Sequence, residues 1–175
     1  MGSAKFHRLF PSEETASRRA AEPGKEISPM RGAPYGMRRE VLLSPIGLPC
    51  NRPPWGTLAA IDIERGEMAW EATLGNTKEL APFGMAFAFG TPNFGGPLVT
   101  AGGIVFIGAT MDNLLRAFDA DTGEELWAGD LPHGGQATPM SYAIGGRQYV
   151  VIAAGGHPNL GIPVGDTLVA FALPE

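Results

Sequence analysis

From Gly56 onward, runs of apolar or alternating residues four to eight long are separated by turn-forming Gly, Pro, Asn and Asp, the pattern of short strands in an all-β chain. "TLAAID" (57–62) and "EMAWEATL" (67–74) flank the turn Glu64-Arg65-Gly66. After a linker come "NFGGPLVTA" (93–101), "GGIVFIGAT" (102–110), "NLLRAFDA" (113–120), the turn Asp121-Thr122-Gly123 and "EELWAGDL" (124–131). "ATPMSYAI" (137–144), the turn Gly145-Gly146, "RQYVVIAAG" (147–155) and "DTLVAFALPE" (166–175) complete nine strand candidates, with no long helix.

A repeat orders these strands. "AIDIERGEMAW" (60–70) returns as "AFDADTGEELW" (117–127), so that Asp62, Gly66 and Trp70 recur 57 positions later as Asp119, Gly123 and Trp127. If the Ala-x-Asp strand is third in a unit and the Trp strand fourth, the chain reads third–fourth, first–fourth, first–third. Four-stranded units at this period are β-propeller blades. The complete blade is then Asn93–Leu131, flanked by two partial ones within 51–175. The Asp side chain accepts backbone N–H groups in a tight turn, and Gly supplies positive φ. The Trp, four residues on, is large enough to cover the neighbouring blade. The repeat therefore encodes a tryptophan-docking motif between blades. Arg65, where the second copy has Thr122, weakens the side-chain hydrogen bonding of the first turn but not its geometry. WD40 and Kelch scaffolds are the competing propellers; the Gly-His/Trp-Asp pairing of the former is absent, and the latter has only Gly102-Gly103 in its favour.

Residues 1–50 read as an irregular, Pro- and charge-rich segment packing on the propeller. A short helix over Glu13–Ala21 with Ser12 as N-cap is expected, then an extended loop to about Arg39. "VLLSPIGLPCNRPPWG" (41–56) reads as a buried, proline-punctuated connection. The 25 Gly and 16 Pro of 175 residues exceed the usual share of about 12%, in keeping with many turns. A net charge of −5 without a basic run argues against nucleic-acid binding. Cys50 is the sole cysteine, so no intrachain disulfide forms. No apolar run approaches the roughly 20 residues of a membrane span, and the first residues lack the core of a secretory signal.

Candidate chemistry is sparse. No His/Cys/carboxylate cluster has metal-ligand spacing, and His7 and His133 have no partner pattern. "GGQATP" is no phosphate loop, and Ser141 lacks a nucleophile-elbow context. Two glycine-bearing loops stand out: "GTPNFGG" (90–96) and "AAGGHPNLG" (153–161). In the second, Gly155 and Gly156 let backbone approach a bound group while His157 projects from the loop.

Four stretches carry a family resemblance: "GAPYGMRREVLLSPIGLPCNRPPWGTLAAIDIERGEMAW", "FGTPNFGGPLVTAGGIVFIGATMDNLLRAFDADTGEELW", "LPHGGQATPMSYAIGGRQYVVIAAGGH" and "GDTLVAFALPE". In these the chain resembles the quinoprotein dehydrogenases that carry pyrroloquinoline quinone (PQQ), and within them the membrane-bound glucose dehydrogenase group. The resemblance implies an arc of an eight-bladed quinoprotein propeller and places the chain in the C-terminal part. It implies PQQ on the ring axis with Ca2+ or Mg2+ against the quinone. Glucose or a related aldose or polyol would be oxidised at the periplasmic face, with electrons passing to ubiquinone. Membrane helices, the other blades and the catalytic Asp base would lie upstream, so this segment alone would be inactive. By the same resemblance Asn93, Phe94, Gly156 and His157 would face the cofactor, Phe94 as the floor under the quinone. His157 would also meet the sugar, and Asp112 would bear on metal retention; an Asx-type turn is the structural alternative for Asp112. A non-catalytic propeller segment with a scaffold or assembly role is the alternative function.

Overall fold

A computed structural model describes residues 5–22, 25–45, 48–79 and 85–173, and the chain divides after Arg52 into two units. In the first, β1 (Lys5–Pro11), β2 (Glu26–Pro29) and β3 (Tyr35–Val41) form an antiparallel sheet of order β1-β3-β2. The irregular segment expected here is thus a sheet. Its strands lack apolar alternation because the charged residues of β3 pair with β2, with the residues just before it and with each other. Arg39 pairs with Glu26, Arg38 with Glu22 and Glu40, and Lys25 with Glu40. Hydrogen bonds from Lys25 first, then Arg38, hold the Glu40 carboxyl below its usual range.

Helix α1 (Thr15–Ala21) follows a 3-10 turn over Ser12–Glu14. Ser12 is not the N-cap expected of it: no side chain caps either element. Instead the Thr15 hydroxyl donates to the Ser12 carbonyl at 2.7 Å, and the Ser12 N–H donates to Pro34. The connection at 41–56 is only partly buried. Trp55 is enclosed, whereas Leu42 and Leu43 are exposed. The side chain of His7 lies outside the described residues.

Among its described residues the second unit contains nine strands in three antiparallel sheets. β4 (Thr57–Asp62) pairs with β5 (Glu67–Thr73). β6 (Leu98–Val99), β7 (Ile104–Ile107), β8 (Leu114–Asp119) and β9 (Glu125–Asp130) form a four-stranded sheet in chain order. β10 (Met140–Ile144), β11 (Arg147–Ala154) and β12 (Thr167–Ala172) form the third. The two-four-three grouping follows the repeat.

The four-stranded sheet is apolar on both faces because a sheet packs on each. Val105, Ile107, Ala109 and Phe118 face Leu74, Leu58 and Ala72 of the first sheet. Leu115, Leu98 and Phe106 face Val150, Ile152 and Ala154 of the third. Each fully buried large side chain here contributes roughly 1.5–3 kcal/mol.

The repeated eleven residues do the same work twice. The register shifts between Ala60 and Ile61 and again between Ala117 and Phe118, a β-bulge at the same place in each copy. Asp119 Oδ1 accepts the N–H groups of Asp121 and Thr122 at 3.0 and 2.8 Å, and the Thr122 hydroxyl at 3.0 Å. These donors, the Thr122 N–H foremost, lower the Asp119 pKa. Asp62 accepts only the two N–H groups, of Glu64 and Arg65, yet Gly66 and Gly123 share φ values of 69° and 75°. Trp70 crosses to the next sheet: its indole N–H donates to the Ala120 carbonyl at 2.9 Å, and its ring lies on Gly123. Trp127 stacks edge-on against Phe171 at 5.1 Å. Beside it an apolar groove of about 550 Å³ is lined by Phe106, Trp127, Phe171 and Leu173, among others.

Antiparallel order fixes the two ends of each sheet. The Asp62 and Asp119 turns lie at one end with the β6–β7 turn, as the Ala120 N–H to Gly103 bond records. The lead-in to β6, the β7–β8 loop, the β9–β10 loop and the β11–β12 loop gather at the other. Among the described residues no helix is long and apolar enough to cross a membrane.

Candidate functional site

The gathered loops bring Phe94 and His157 together. Their rings stack with centroids 5.5 Å apart and planes 26° from parallel. Phe94, in the lead-in to β6, donates its N–H to the Ala109 carbonyl at 3.1 Å and leaves its side chain 48% exposed. His157 opens the β11–β12 loop and is closed onto Ile162 by a β-bridge. Its Nδ1 is buried with no hydrogen-bond partner. The result is a half-open aromatic face next to an imidazole.

The two other cofactor-facing candidates differ. Asn93 is half-buried, with its amide nitrogen crowding Gly56, where a Cβ would stand 2.9 Å away. Gly156 was expected to clear room for a bound group, but its requirement is met inside its own loop. It has φ +66°, its N–H donates to the Gly134 carbonyl, and a Cβ would overlap the Pro163 carbonyl oxygen. Gly155 has the open side: the nearest atom to a Cβ there is 3.8 Å away. His133 packs its ring against Gly165.

Asp112 is neither a cation ligand in waiting nor an Asx turn. Its carboxylate is fully buried and holds four donors. Oδ1 accepts the Thr110 hydroxyl at 2.5 Å and Arg116 Nη1 at 3.0 Å; Oδ2 accepts Arg116 Nη2 at 2.5 Å and the Asn76 N–H at 2.8 Å. Those bonds use the roughly four acceptor positions of a carboxylate. Removing one partner of so buried a pair costs roughly 3–5 kcal/mol. Among the described residues no three His, Cys, Asp or Glu side chains come together to hold a metal. The metal expectation at Asp112 therefore does not fit these residues.

Arg116, Asn76, Thr110 and Gln136 went unnoticed in the sequence. Arg116 sits in a strand read as apolar. Gln136 donates its amide to the Thr110 carbonyl at 2.8 Å and lies in a loop dismissed for lacking a phosphate pattern.

A family model described as "PQQ: Glucose/ethanol/alcohol dehydrogenase, beta-propeller domain" matches residues 2–150. The chain is 46% identical over 173 residues to quinoprotein glucose dehydrogenase A of Acinetobacter calcoaceticus, covering 96% of this chain and 22% of that one. It is 45% identical over 156 residues to the glycerol dehydrogenase large subunit of Gluconobacter thailandicus, covering 83% and 20%. The solved structure of a europium-containing methanol dehydrogenase aligns with a TM-score of 0.51 at 23% identity, over 88% of this chain and 22% of that one, a likeness of fold. The chain spans about a fifth of the length of these curated relatives.

Proposed function

Since the chain belongs to the PQQ glucose/ethanol/alcohol dehydrogenase β-propeller family, we propose that it forms part of the ring of a PQQ-dependent sugar or polyol dehydrogenase. In this reading the ring stands at the periplasmic face of the cytoplasmic membrane, oxidises glucose or a related aldose or polyol, and passes electrons to ubiquinone. The observation that carries the reading is the Phe94–His157 stack, half-open at the loop end of the sheets.

That stack suits a planar aromatic acid. Phe94 offers a flat apolar face that excludes water from one side of a ring. His157 offers an imidazole nitrogen to hydrogen-bond a group at the edge of that ring or a sugar hydroxyl. PQQ, when bound, supplies the two-electron acceptor for oxidation of a C–OH group. The stacking of His157 on Phe94 holds the imidazole in one orientation, and so makes the side chain an orienting contact. No residue of this chain is assigned as the proton-accepting base, and no metal step is routed through Asp112.

The test is a chimera in which residues 53–173 replace the matching segment of the Acinetobacter calcoaceticus enzyme. It is expected to bind PQQ and oxidise glucose. His157→Ala within it should weaken apparent affinity for cofactor or sugar about tenfold, as losing one hydrogen bond of about 1.4 kcal/mol would. A folded chimera that ignores PQQ overturns the proposal; unchanged kinetics for His157→Ala remove that residue from the site.

A further inference from the structure

The buried cluster around Arg116 lies under the site but takes no part in it directly. The β7–β8 loop over 108–113 is bonded to the loop after β5, the lead-in to β6 and the β9–β10 loop. Phe94 N–H reaches Ala109 O at 3.1 Å, Ala109 N–H reaches Gly135 O at 2.6 Å, and Leu131 N–H reaches Asn113 O at 2.8 Å. Gln136 holds Thr110 O, and Asn76 from the first sheet's trailing loop holds Asp112. Ala109 and Asn113 both have left-handed backbones, φ 60° and 56°, which persist in residues with side chains only where the surroundings over-determine them. Ala109 is held by Phe94 and Gly135, and Asn113 by Leu131, while Arg116 and Asp112 lock the turn between them through Thr110. Arg116 is 4% exposed and spans three partners: both Asp112 oxygens, the Thr110 hydroxyl, and Glu125 through Nε at 3.1 Å.

We propose that Arg116, acting through Asp112, is a positioning residue that sets the 108–113 loop and thereby the backbone of Phe94, and that Asp112 serves this clasp instead of a cation. A cation at Asp112 would have to displace Arg116, Thr110 or Asn76, each of which would then be left buried without its partner. The importance of the clasp for ligand binding rests on the reading of Phe94 and His157 given above; its mechanical role does not.

Two experiments separate these. In the full chain, amide hydrogen exchange is followed residue by residue. Arg116→Met should speed exchange at Asn76 and Phe94 at least tenfold more than at Val150 in β11. Arg116→Lys, which keeps the charge but loses the bidentate geometry, should do so to a lesser degree and covers failure of the Met variant to fold. Val105→Ala, a core truncation, should not single out those two amides. Uniform acceleration by either Arg116 variant overturns the clasp.

In the chimera, Asp112→Asn and Arg116→Met should lower PQQ affinity, read from cofactor absorbance without turnover, by a similar factor. The double variant should be no weaker than either, and the Ca2+ requirement should be unchanged. A raised Ca2+ requirement for Asp112→Asn alone overturns the proposal in favour of direct ligation. If the unmutated chimera binds no PQQ, the functional reading fails, and the exchange experiment still decides the clasp.

Discussion

Gly66 and Gly123 hold the same place in two copies of one turn, with φ of 69° and 75°, yet only one carries a neighbour's tryptophan. A Cβ on Gly66 meets nothing within 4 Å, whereas one on Gly123 would stand 2.5 Å from the Trp70 ring. Gly66→Ala therefore pays only the left-handed backbone cost, roughly 1–2 kcal/mol. Gly123→Ala pays the same and must also push Trp70 aside, at roughly 1–3 kcal/mol more. That displacement endangers the indole bond to Ala120 as well. In a Trp70→Ala background the second cost vanishes, so Gly123→Ala should fall back to the cost of Gly66→Ala. The cycle should thus show a coupling of roughly 1–3 kcal/mol. Urea midpoints by far-UV circular dichroism provide the readout, with the slope checked for constancy. Equal costs at the two glycines, or a cycle additive to within about 0.5 kcal/mol, would refute the docking argument.

Other consequences are simpler. The Asp119 carboxyl is held below its usual pKa by the Thr122 N–H and hydroxyl and the Asp121 N–H. Its contribution to stability is complete above the unfolded-state value and is lost as pH falls through the folded one. The urea midpoint should drop below about pH 4, and less steeply in Asp119→Asn; identical profiles would show the turn contributes nothing through charge. Trp127 is 40% exposed, and its indole N–H meets no acceptor among the described residues, unlike that of Trp70. Trp70→Phe should therefore cost about 1 kcal/mol and Trp127→Phe clearly less, again by urea midpoint; the reverse order would mean that the indole bond to Ala120 contributes nothing to docking.

The second unit was legible because its strands obey one rule. The four-stranded sheet is covered on both faces and each sheet beside it on one, so short apolar runs and turn residues mark every strand, and the 57-residue repeat supplies the grouping. The first unit broke that rule. "YGMRREV" becomes β3 although its alternation is hidden by arginines whose partners, Glu22 and Glu26, lie elsewhere in the sequence. At the site, Phe94 and His157 were singled out from different loops, but only the fold makes them a stacked pair. Asp112 was misread for a related reason. Its partner Arg116 lies inside "NLLRAF", where neighbouring Leu115 and Phe118 suggest plain core. A buried ion pair with one member in a loop and the other in a strand leaves no periodic trace. The need for glycine at 156 was half hidden as well, since nothing in "AAGGHPNLG" shows that Pro163 will fold back over it.

The reading as a whole turns on the stack acting within a ring and not by itself. Its most direct test is a PQQ titration, with Ca2+ present, of the 175-residue chain alone and of the chimera side by side, each followed by dye reduction on adding glucose. The chimera should saturate with cofactor and reduce the dye, while the chain alone does neither. Tight PQQ binding and glucose-dependent turnover by the chain alone would contradict it.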